Sequence, residues 1–391
     1  MTASRFLPDD GYAGTLVGRV RLAAGPAVVA FRADGVFDIS HAAPTSADLC
    51  NAGDPLALAR TERGRRIGSL DDILAASNPD AADPARPFLL SPVDLQVVKA
   101  AGVTFVRSLL ERVIEERAKG DPARAEAVRR DIQARIGGDL TAVRPGSEQA
   151  ADLKRALIEA GWWSQYLEVG IGPDAEIFTK CPIMASVGYG QGIGIPPAST
   201  WNNPEPEAVL VVNRQGVIVG ATLGNDVNLR DVEGRSALLL GKAKDNNASA
   251  AIGPFIRLFD ETFTLDHVRR CDVALRIEGR DGFVLDDVSS LSEIGRDLAD
   301  LAAAALNADH QYPDGFVLYT GTMFAPTRDR GAPGQGFTHA VGDVVEIASP
   351  KLGTLRNTVR HTHDLPPWDF GVGDRMRSLA ARGLLQIART I

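Results

Sequence analysis

The chain reads Trp201-Asn-Asn-Pro-Glu-Pro-Glu207, Ala208-Val-Leu-Val-Val212, Asn213-Arg-Gln-Gly216 and Val217-Ile-Val-Gly-Ala-Thr-Leu223 in direct succession near its middle. Two β-branched runs separated by a short polar segment with glycine are typical of a β-hairpin. The prolines of the first segment favour an extended backbone where the hairpin begins. This stretch therefore predicts a strand, a polar turn and a second strand.

Three acidic residues accompany this hairpin. Glu205 and Glu207 lie two residues apart in an extended segment, so their side chains project from the same face. If the turn centres on Gln215-Gly216, cross-strand partners have residue numbers that sum to 431, which sets Asp226 opposite Glu205. Register inferred from sequence can slip by a residue or two. The prediction is therefore that the three carboxylates are adjacent, and not that one fixed pair forms.

Adjacent carboxylates repel one another unless a cation joins them. A ligand set made of oxygens suits a hard divalent ion such as Mg²⁺, Mn²⁺ or Ca²⁺, and not zinc, which prefers nitrogen and sulfur. The alternative is a solvated acidic rim on a surface hairpin. From these residues alone both interpretations are open.

Composition limits the class of protein. The 391 residues suggest about two domains, and 45% hydrophobic with 24% charged residues is ordinary for a globular protein. A net charge of −8 argues against a general nucleic-acid surface, and no run approaches the ~18 apolar residues of a membrane span. The N-terminus lacks the apolar core of a signal peptide, and three widely spaced cysteines suggest no disulfide framework. We therefore expect a cytoplasmic protein without nucleic-acid or membrane partners.

The order of elements predicts an α+β chain. We expect residues 1–90 to form a small β-rich N-terminal domain with strands near 14–22 and 26–31, and residues 91–391 to form a larger, mostly β domain. Apolar spacing and caps predict helices at 105–114, from Asp121-Pro122 to Gly137-Gly138, from Ser147 to Ala160, and near 292–306.

Four separated motifs resemble the fumarylacetoacetate hydrolase superfamily and occur in its order. The similarity extends over about residues 92–391, and it implies a mixed β-roll for the larger domain and a metal site at the three carboxylates. The motifs are Pro204-Glu-Pro-Glu207, Gly224-Asn-Asp-Val-Asn-Leu-Arg-Asp231, Leu318-Tyr-Thr-Gly-Thr322, and Val341-Gly-Asp-Val-Val-Glu-Ile347 with Gly353-Thr-Leu-Arg-Asn357.

Further segments resemble the 2-keto-3-deoxy-pentonate dehydratases within that superfamily, among them Pro92-Val-Asp-Leu-Gln96, Gly172-Pro-Asp-Ala-Glu-Ile-Phe-Thr-Lys180 and His310-Gln-Tyr-Pro-Asp-Gly315. This resemblance implies a 2-oxo acid as the small-molecule substrate. It also implies magnesium-dependent dehydration of a 2-keto-3-deoxy-pentonate, of the D-xylonate or L-arabinonate series, to 2-oxoglutarate semialdehyde. A homodimer or homotetramer is expected.

The resemblance also assigns roles to two catalytic candidates. Glu176 matches the glutamate proposed as the acid–base group of the dehydratases, and the apolar Ile177 and Phe178 beside it would raise its pKa. Its alternatives are a water-mediated metal ligand or a capping group. Lys244 matches the family lysine that stabilises an oxyanion or moves a proton, and its alternative is a surface lysine. Whether Glu176 or Lys244 removes the proton is open.

Three more residues are candidates for substrate binding. Arg230 matches a family arginine able to clamp a carboxylate, and its alternative is a structural salt bridge with Asp231 or Glu233. Thr322 matches a threonine that meets the substrate carboxylate, and a plain turn residue is the alternative. Lys180 is assigned an assisting role.

One departure from the family bears on the reaction. The carbon–carbon hydrolases of the superfamily carry an Asn-Tyr-x-x-His-x-x-Glu segment whose His–Glu dyad activates water, whereas this chain has Thr104-Phe-Val-Arg-Ser108-Leu-Leu-Glu111. Ser108 cannot take a proton near neutral pH as an imidazole can. The departure favours dehydration. An acylpyruvate-type hydrolase, an oxaloacetate decarboxylase and a non-catalytic 2-oxo-acid binding protein are the alternatives.

Overall fold

The computed structural model describes residues 3–77, 86–105, 109, 113–114, 116–119, 124, 127, 143–159, 161, 163–324, 328–331 and 336–385. Helices and strands are mixed, as the α+β prediction requires. The strands are, in chain order, β1 (Leu16–Leu22), β2 (Gly25–Arg32), β3 (Gly35–Asp38), β4 (Arg65–Gly68), β5 (Phe88–Leu90), β6 (Val97–Gly102), β7 (Glu176–Cys181), β8 (Gly192–Ile195), β9 (Asn202–Asn203), β10 (Pro206–Val212), β11 (Ile218–Asp226), β12 (Asn228–Leu229), β13 (Ala250–Leu258), β14 (Asp272–Glu278), β15 (Val284–Ser290), β16 (Phe316–Tyr319), β17 (Val344–Ser349) and β18 (Gly353–His361).

The helices are short and lie mostly outside the sheets. They are α1 (Ala3–Phe6), α2 (Ser46–Cys50), α3 (Pro55–Thr61), α4 (Leu70–Ala76), α5 (Glu148–Glu159), α6 (Gln165–Ile171), α7 (Arg230–Glu233), α8 (Leu240–Lys244), α9 (Leu265–Val268), α10 (Leu298–Ala305) and α11 (Val372–Ala381), with single 3₁₀ turns at Ala237–Leu239, Leu291–Glu293 and Thr362–Asp364. Within the described ranges, every helix is too short or too polar to span a lipid bilayer.

Two sheets make up most of the fold. The large sheet has the order β4-β3-β2-β1-β13-β11-β10-β16-β6-β7, with β5 also pairing with β1. The second sheet has the order β15-β14-β17-β18-β8. Most neighbours are antiparallel, and the pairs β16–β6 and β18–β8 are parallel.

The central hairpin has the predicted register. Pro206 pairs with Asn225 and Val211 with Gly220, so partner numbers sum to 431 along β10, and the ladder shifts only beyond Val211. The Asp226 amide donates to the Glu205 carbonyl at 3.0 Å, which extends the same register by one pair. The hairpin prediction is confirmed.

Both faces of β10 are buried, which explains why its apolar run is continuous. Leu210 belongs to the main core, together with Leu275 and Ile347 of the second sheet. Val209 and Val211 face the opposite way, into a second core with Tyr319. A strand at the centre of a sheet with two covered faces is a rigid support for side chains at its end.

The N-terminal strands continue the large sheet. The predicted strands near 14–22 and 26–31 are present as β1 and β2, and β1 pairs with β13 through Leu16 and Val17. The division of the chain at residue 90 stays a prediction.

The predicted helices meet different outcomes. The helix from Ser147 to Ala160 is confirmed as α5. The prediction of one helix near 292–306 is wrong in its first part. Residues Leu291–Glu293 form a 3₁₀ turn, and the backbone is extended at Ile294. The helix α10 begins only at Leu298, where Asp297 caps it by accepting from the Ala299 amide. The helix from Asp121 to Gly138 lies outside the described residues, as does most of 105–114.

Candidate active site

The candidate site lies where several strands of the large sheet end at the same edge. β10 begins there after Glu205, and its antiparallel neighbour β11 ends there at Asp226. On the other side of β10, β16 ends just before Thr320. β6 runs parallel to β16 and ends at Gly102, opposite the first residue of β7, Glu176. The sheet register therefore brings residues from distant parts of the chain to one place.

Three carboxylates form a buried cluster at this edge. Ligand oxygens of Glu205, Glu207 and Asp226 all lie within 4.8 Å of one another. The three residues are 2–3% exposed, so the solvated acidic rim is excluded. The backbone amide of Gly321 donates to Oε2 of Glu207 at 2.6 Å and fixes that side chain.

Two lysines face this cluster. Nζ of Lys180, which is fully buried, lies 2.7 Å from Oδ1 of Asp226 and donates to the carbonyl of Val227 at 3.0 Å. Nζ of Lys244, at the end of α8, lies 3.1 Å from Oδ2 of Asp226 and also donates to Glu205. Lys244 is 3% exposed, which excludes the surface-lysine alternative.

The carboxylates differ in their affinity for protons. Burial, followed by the charges of Asp226 and Glu205, raises the pKa of Glu207 well above the ordinary value. Burial would also raise the pKa of Asp226, but the ammonium groups of Lys180 and Lys244 outweigh it and lower that pKa. The two ammonium groups thus offset the charge of Asp226, whereas the surroundings of Glu207 favour its protonated form.

The residues present fit a divalent cation. The small cavity at this edge is lined by five carboxyl side chains, those of Glu176, Glu205, Glu207, Asp226 and Glu233, and by Lys244. Lys180 contacts Asp226 from behind. Even with both lysines charged, these groups carry an excess of potential negative charge, and the oxygen ligands are of the kind that Mg²⁺ prefers.

Glu176 and Thr322 line the same cavity, with Phe178 beside them. The Thr322 hydroxyl accepts from the amide of Phe324 at 3.0 Å, which fixes the turn that follows β16. Phe178 also lies below the Lys244 ammonium, 5.8 Å from ring centre to Nζ. The roles assigned to Glu176 and Thr322 stay predictions, but their positions are compatible with them.

Arg230 lies outside the set of described residues that line the cavity. It begins α7, is 3% exposed, and its guanidinium stacks 4.4 Å from the ring centre of Trp201. Its neighbour Asp231 accepts from the Ser199 hydroxyl at 2.9 Å and from the Thr200 amide at 2.8 Å. The predicted role of Arg230 in substrate binding stays a prediction.

Sequence reasoning missed part of the cavity wall. The sequence suggests Glu233 only as a salt-bridge partner of Arg230, yet Glu233 lines the cavity and accepts from the Asn228 side-chain amide at 2.6 Å. Its position three residues after Arg230, one helical turn away, was the only indication. The wall formed by Ala101, Gly102 and Val103 belongs to the segment Ala100-Ala-Gly-Val-Thr-Phe105, which resembles the dehydratases but for which no role in the site was predicted. Ser108 and Glu111, at the position of the hydrolytic dyad, lie outside the described residues.

Comparison with known proteins places the chain in a family. Residues 173–360 match the family model described as fumarylacetoacetate (FAA) hydrolase C-terminal. A relative from Haloferax volcanii, named probable 2-keto-3-deoxyxylonate dehydratase, is 32% identical over 214 residues, which cover 54% of this chain and 68% of the relative. The chain belongs to the fumarylacetoacetate hydrolase family. A second relative from Saccharolobus solfataricus, named 2-dehydro-3-deoxy-D-arabinonate dehydratase, is 34% identical over 185 residues, which cover 47% of this chain and 58% of that protein's length.

Solved structures share the fold of this family member. A 2-keto-3-deoxy-D-arabinonate dehydratase complexed with magnesium and 2,5-dioxopentanoate superposes with a TM-score of 0.60 at 20% identity, covering 88% of this chain and 99% of that one. A fumarylacetoacetate hydrolase from Exiguobacterium antarcticum gives a TM-score of 0.52 at 14% identity, covering 89% of this chain and 99% of that one. The expected family fold is confirmed. At these identities the superpositions concern the fold alone.

Proposed function

We propose that this protein is a divalent-metal-dependent dehydratase that converts a 2-keto-3-deoxy-pentonate into 2-oxoglutarate semialdehyde and water. The observation that carries the proposal is the buried Glu205, Glu207 and Asp226 cluster with Glu176 on the same cavity wall. The names of the two curated relatives support the choice of reaction. The structural neighbour supports the same choice, because it was solved with magnesium and 2,5-dioxopentanoate. The compound 2,5-dioxopentanoate is 2-oxoglutarate semialdehyde.

The names of the relatives also bear on stereochemistry. A 2-keto-3-deoxy-pentonate keeps only the C4 stereocentre of the parent sugar acid, since C2 is a ketone and C3 is a methylene. The derivatives of D-arabinonate and D-xylonate are therefore the same compound. The relative from Saccharolobus solfataricus is named for this D configuration, and the name of the relative from Haloferax volcanii gives a xylonate derivative without a configuration. We propose that this chain also prefers the D substrate over the epimer derived from L-arabinonate.

The cluster would hold Mg²⁺, or in its place Mn²⁺ or Ca²⁺, through Glu205, Glu207 and Asp226. When bound, such an ion supplies Lewis-acid stabilisation of negative charge on the oxygens of a 2-oxo acid, which acidifies its C3 protons. Lys244 contacts two of the three carboxylates, so its ammonium would lie beside the same charge. Thr322 and the guanidinium of Arg230 are the proposed contacts to the substrate carboxylate, with Lys180 assisting from behind Asp226.

Glu176 is the proposed acid–base group. An ammonium that donates to two buried carboxylates is a poor base, so Lys244 suits charge stabilisation better than proton removal. Glu176 takes a proton from C3 and returns one to the C4 hydroxyl, which leaves as water. Elimination leaves a double bond between C3 and C4. Loss of a proton from C5 and its return at C3 move that double bond to C4–C5, and the resulting enol loses its hydroxyl proton and gains one at C4, so that C5 becomes the aldehyde. The atoms balance without an oxidant or a nucleophilic water.

The test is product analysis with purified protein and Mg²⁺. Samples receive the D and L epimers of 2-keto-3-deoxy-pentonate, an acylpyruvate and oxaloacetate. We expect formation of 2-oxoglutarate semialdehyde, faster from the D epimer. Faster cleavage of the acylpyruvate would favour the hydrolase, loss of carbon dioxide from oxaloacetate the decarboxylase, and binding without turnover the non-catalytic alternative.

We further propose that the protein acts in the cytoplasm as a homodimer or homotetramer. Three free, buried cysteines, Cys50, Cys181 and Cys271, support a reducing compartment. The oligomer rests on the family resemblance. Sedimentation velocity at micromolar concentration tests it, and a monomer alone would contradict it.

A further inference from the structure

Glu176 and Gly102 are a cross-strand pair at the edge of the large sheet, where β6 ends and β7 begins. Both residues line the cavity that contains the carboxylate cluster. A methyl group added to Gly102 would lie 2.7 Å from Cδ of Glu176 and 3.3 Å from its Cγ, and nearer still to its oxygen Oε2. Because a methyl group and a carboxyl group cannot share this space, the Glu176 side chain occupies the volume that a side chain at position 102 would fill.

The backbone beside Gly102 is held in place by tertiary contacts. Val103 has a φ of 55°, in the left-handed region that a β-branched residue strongly disfavours. The Thr104 hydroxyl donates to the Thr320 carbonyl at 2.7 Å, and the Thr104 carbonyl accepts from the Gly295 amide at 2.8 Å. The disfavoured conformation persists because the surrounding structure imposes it, which is common at functional sites.

These two observations have a joint consequence. If the backbone at 102–104 is fixed by Thr320 and Gly295, it cannot retreat from a methyl group at position 102. The Glu176 carboxyl group lies at the end of a flexible side chain, so it is the group that moves. A side chain at position 102 would thus displace the carboxyl group of Glu176 and leave the fold intact.

We propose that Gly102 is a positioning residue for Glu176: the absence of a side chain at Gly102 creates the space in which the Glu176 carboxyl group is held against the cavity wall. The inference rests on the acid–base role of Glu176 in the proposed function. Gly102 acts only through Glu176. It sets how far that carboxyl group stands from the substrate carbon atoms that exchange protons.

The test is a double-mutant cycle between Gly102→Ala and Glu176→Gln. Gly102→Ala should lower kcat on the order of 100-fold, because a displacement of about 1 Å can cost that much. In the Glu176→Gln background the same change should alter kcat by less than about 3-fold, because the group it displaces no longer transfers protons. KM, the affinity for Mn²⁺ and the melting temperature should change little.

Gly18→Ala is the matched control. Gly18 also lies in a strand, and a methyl group there would be 2.9 Å from the Phe31 ring, away from the described cavity lining. This variant should lower the melting temperature and keep kcat. Gly102→Ala should instead keep the melting temperature and lower kcat. The two variants therefore distinguish displacement of the Glu176 carboxyl group from a general loss of stability.

Three outcomes would overturn the inference. One is full kcat in Gly102→Ala, and another is an equal, multiplicative loss in the two backgrounds. The third is a crystal structure of Gly102→Ala in which the Glu176 carboxyl group has not moved, a result that does not depend on any assay. If Glu176→Gln alone keeps full dehydratase activity, the proposed role of Glu176 is wrong, and that single variant identifies this failure separately.

Discussion

Lys180 and Asp226 form an ion pair of 2.7 Å that is almost wholly removed from solvent, with the lysine side chain at 0% and the aspartate at 2% exposure. Nζ of Lys180 also donates to the carbonyls of Val227 and Lys244 and to the Ser249 hydroxyl, which satisfies the ammonium group. Such a pair is costly to bury but more costly to break, because the remaining charge has no water to solvate it. Lys180 therefore stabilises the end of β11, where Asp226 is held in reach of the other two carboxylates.

The first prediction concerns this pair. Lys180→Met should destabilise the metal-free protein by about 3–5 kcal/mol, because it leaves the carboxylate of Asp226 buried beside Glu205 and Glu207 with less compensating charge. Urea unfolding in EDTA measures the change. Lys154→Met is the control, since Lys154 and Glu168 form a half-exposed pair that should contribute at most about 1 kcal/mol. If the two substitutions lower the free energy of unfolding equally, burial of the Lys180–Asp226 pair does not increase its contribution to stability.

The second prediction concerns the metal ligands. Glu205→Gln, Glu207→Gln and Asp226→Asn should each weaken binding of Mn²⁺ at least about tenfold, because a neutral amide loses the charge attraction of a carboxylate. Calorimetry or the electron paramagnetic resonance signal of free Mn²⁺ gives the affinity without an activity assay. Chelation with EDTA should abolish turnover, and Mg²⁺ or Mn²⁺ should restore it. Full turnover after exhaustive chelation would contradict the metal site.

The third prediction is a pH dependence of metal binding. The pKa of Glu207 is raised by burial and by the neighbouring carboxylates, so a proton competes with the cation for this group. Affinity for Mn²⁺ should therefore fall as the pH is lowered, and binding should release protons. Calorimetry in buffers with different ionisation enthalpies counts those protons. In Glu207→Gln the pH dependence should be smaller, and an unchanged dependence would point to another group.

The sequence predicted the central hairpin well because its information is local. Two β-branched runs and a turn with glycine determine the register, and the register carries Asp226 to Glu205. Lys180, Glu176 and Thr322 could be placed near the site only by resemblance, because their contacts depend on pairing between distant strands. Gly102 lies in Ala100-Ala-Gly-Val-Thr-Phe105, a segment that resembles the dehydratases, but its role could not be predicted, since that role depends on empty space next to another residue. Residue type and spacing do not encode that space.

The same limit applies to the N-terminal segment. Its strands could be predicted from the sequence, but their connection to β13 could not. That connection depends on individual contacts between residues that are far apart in the sequence. Arg257 of β13 is fully buried and binds both oxygens of Asp10, with two bonds of 2.8 Å. Lys351, beside β18, reaches the same carboxylate at 3.0 Å. One aspartate thus joins the start of the chain to both sheets.

The fourth prediction concerns the contribution of Asp10 to stability. Hydrogen bonds from Arg257 lower the pKa of Asp10 to about 2, from an ordinary value of 3.8. Because the pKa is lower in the folded state, the contribution is present above pH 3.8 and is lost as the pH falls toward 2. Its size is about 2 kcal/mol. Asp10→Asn should therefore reduce the free energy of unfolding at pH 7 by at least this amount, and the deficit should shrink below about pH 4.

Urea unfolding of both proteins at pH 7, 5 and about 3.5 tests this sign. The difference between parent and variant should be constant from pH 7 to 5, since neither the folded nor the unfolded carboxyl group titrates there, and smaller at the lowest pH. Asp152→Asn is the control, because Asp152 and Arg155 form an exposed pair on α5 whose loss should change stability little at any pH. A deficit for Asp10→Asn that grows on acidification would mean that the carboxylate of Asp10 does not stabilise the folded chain through its charge.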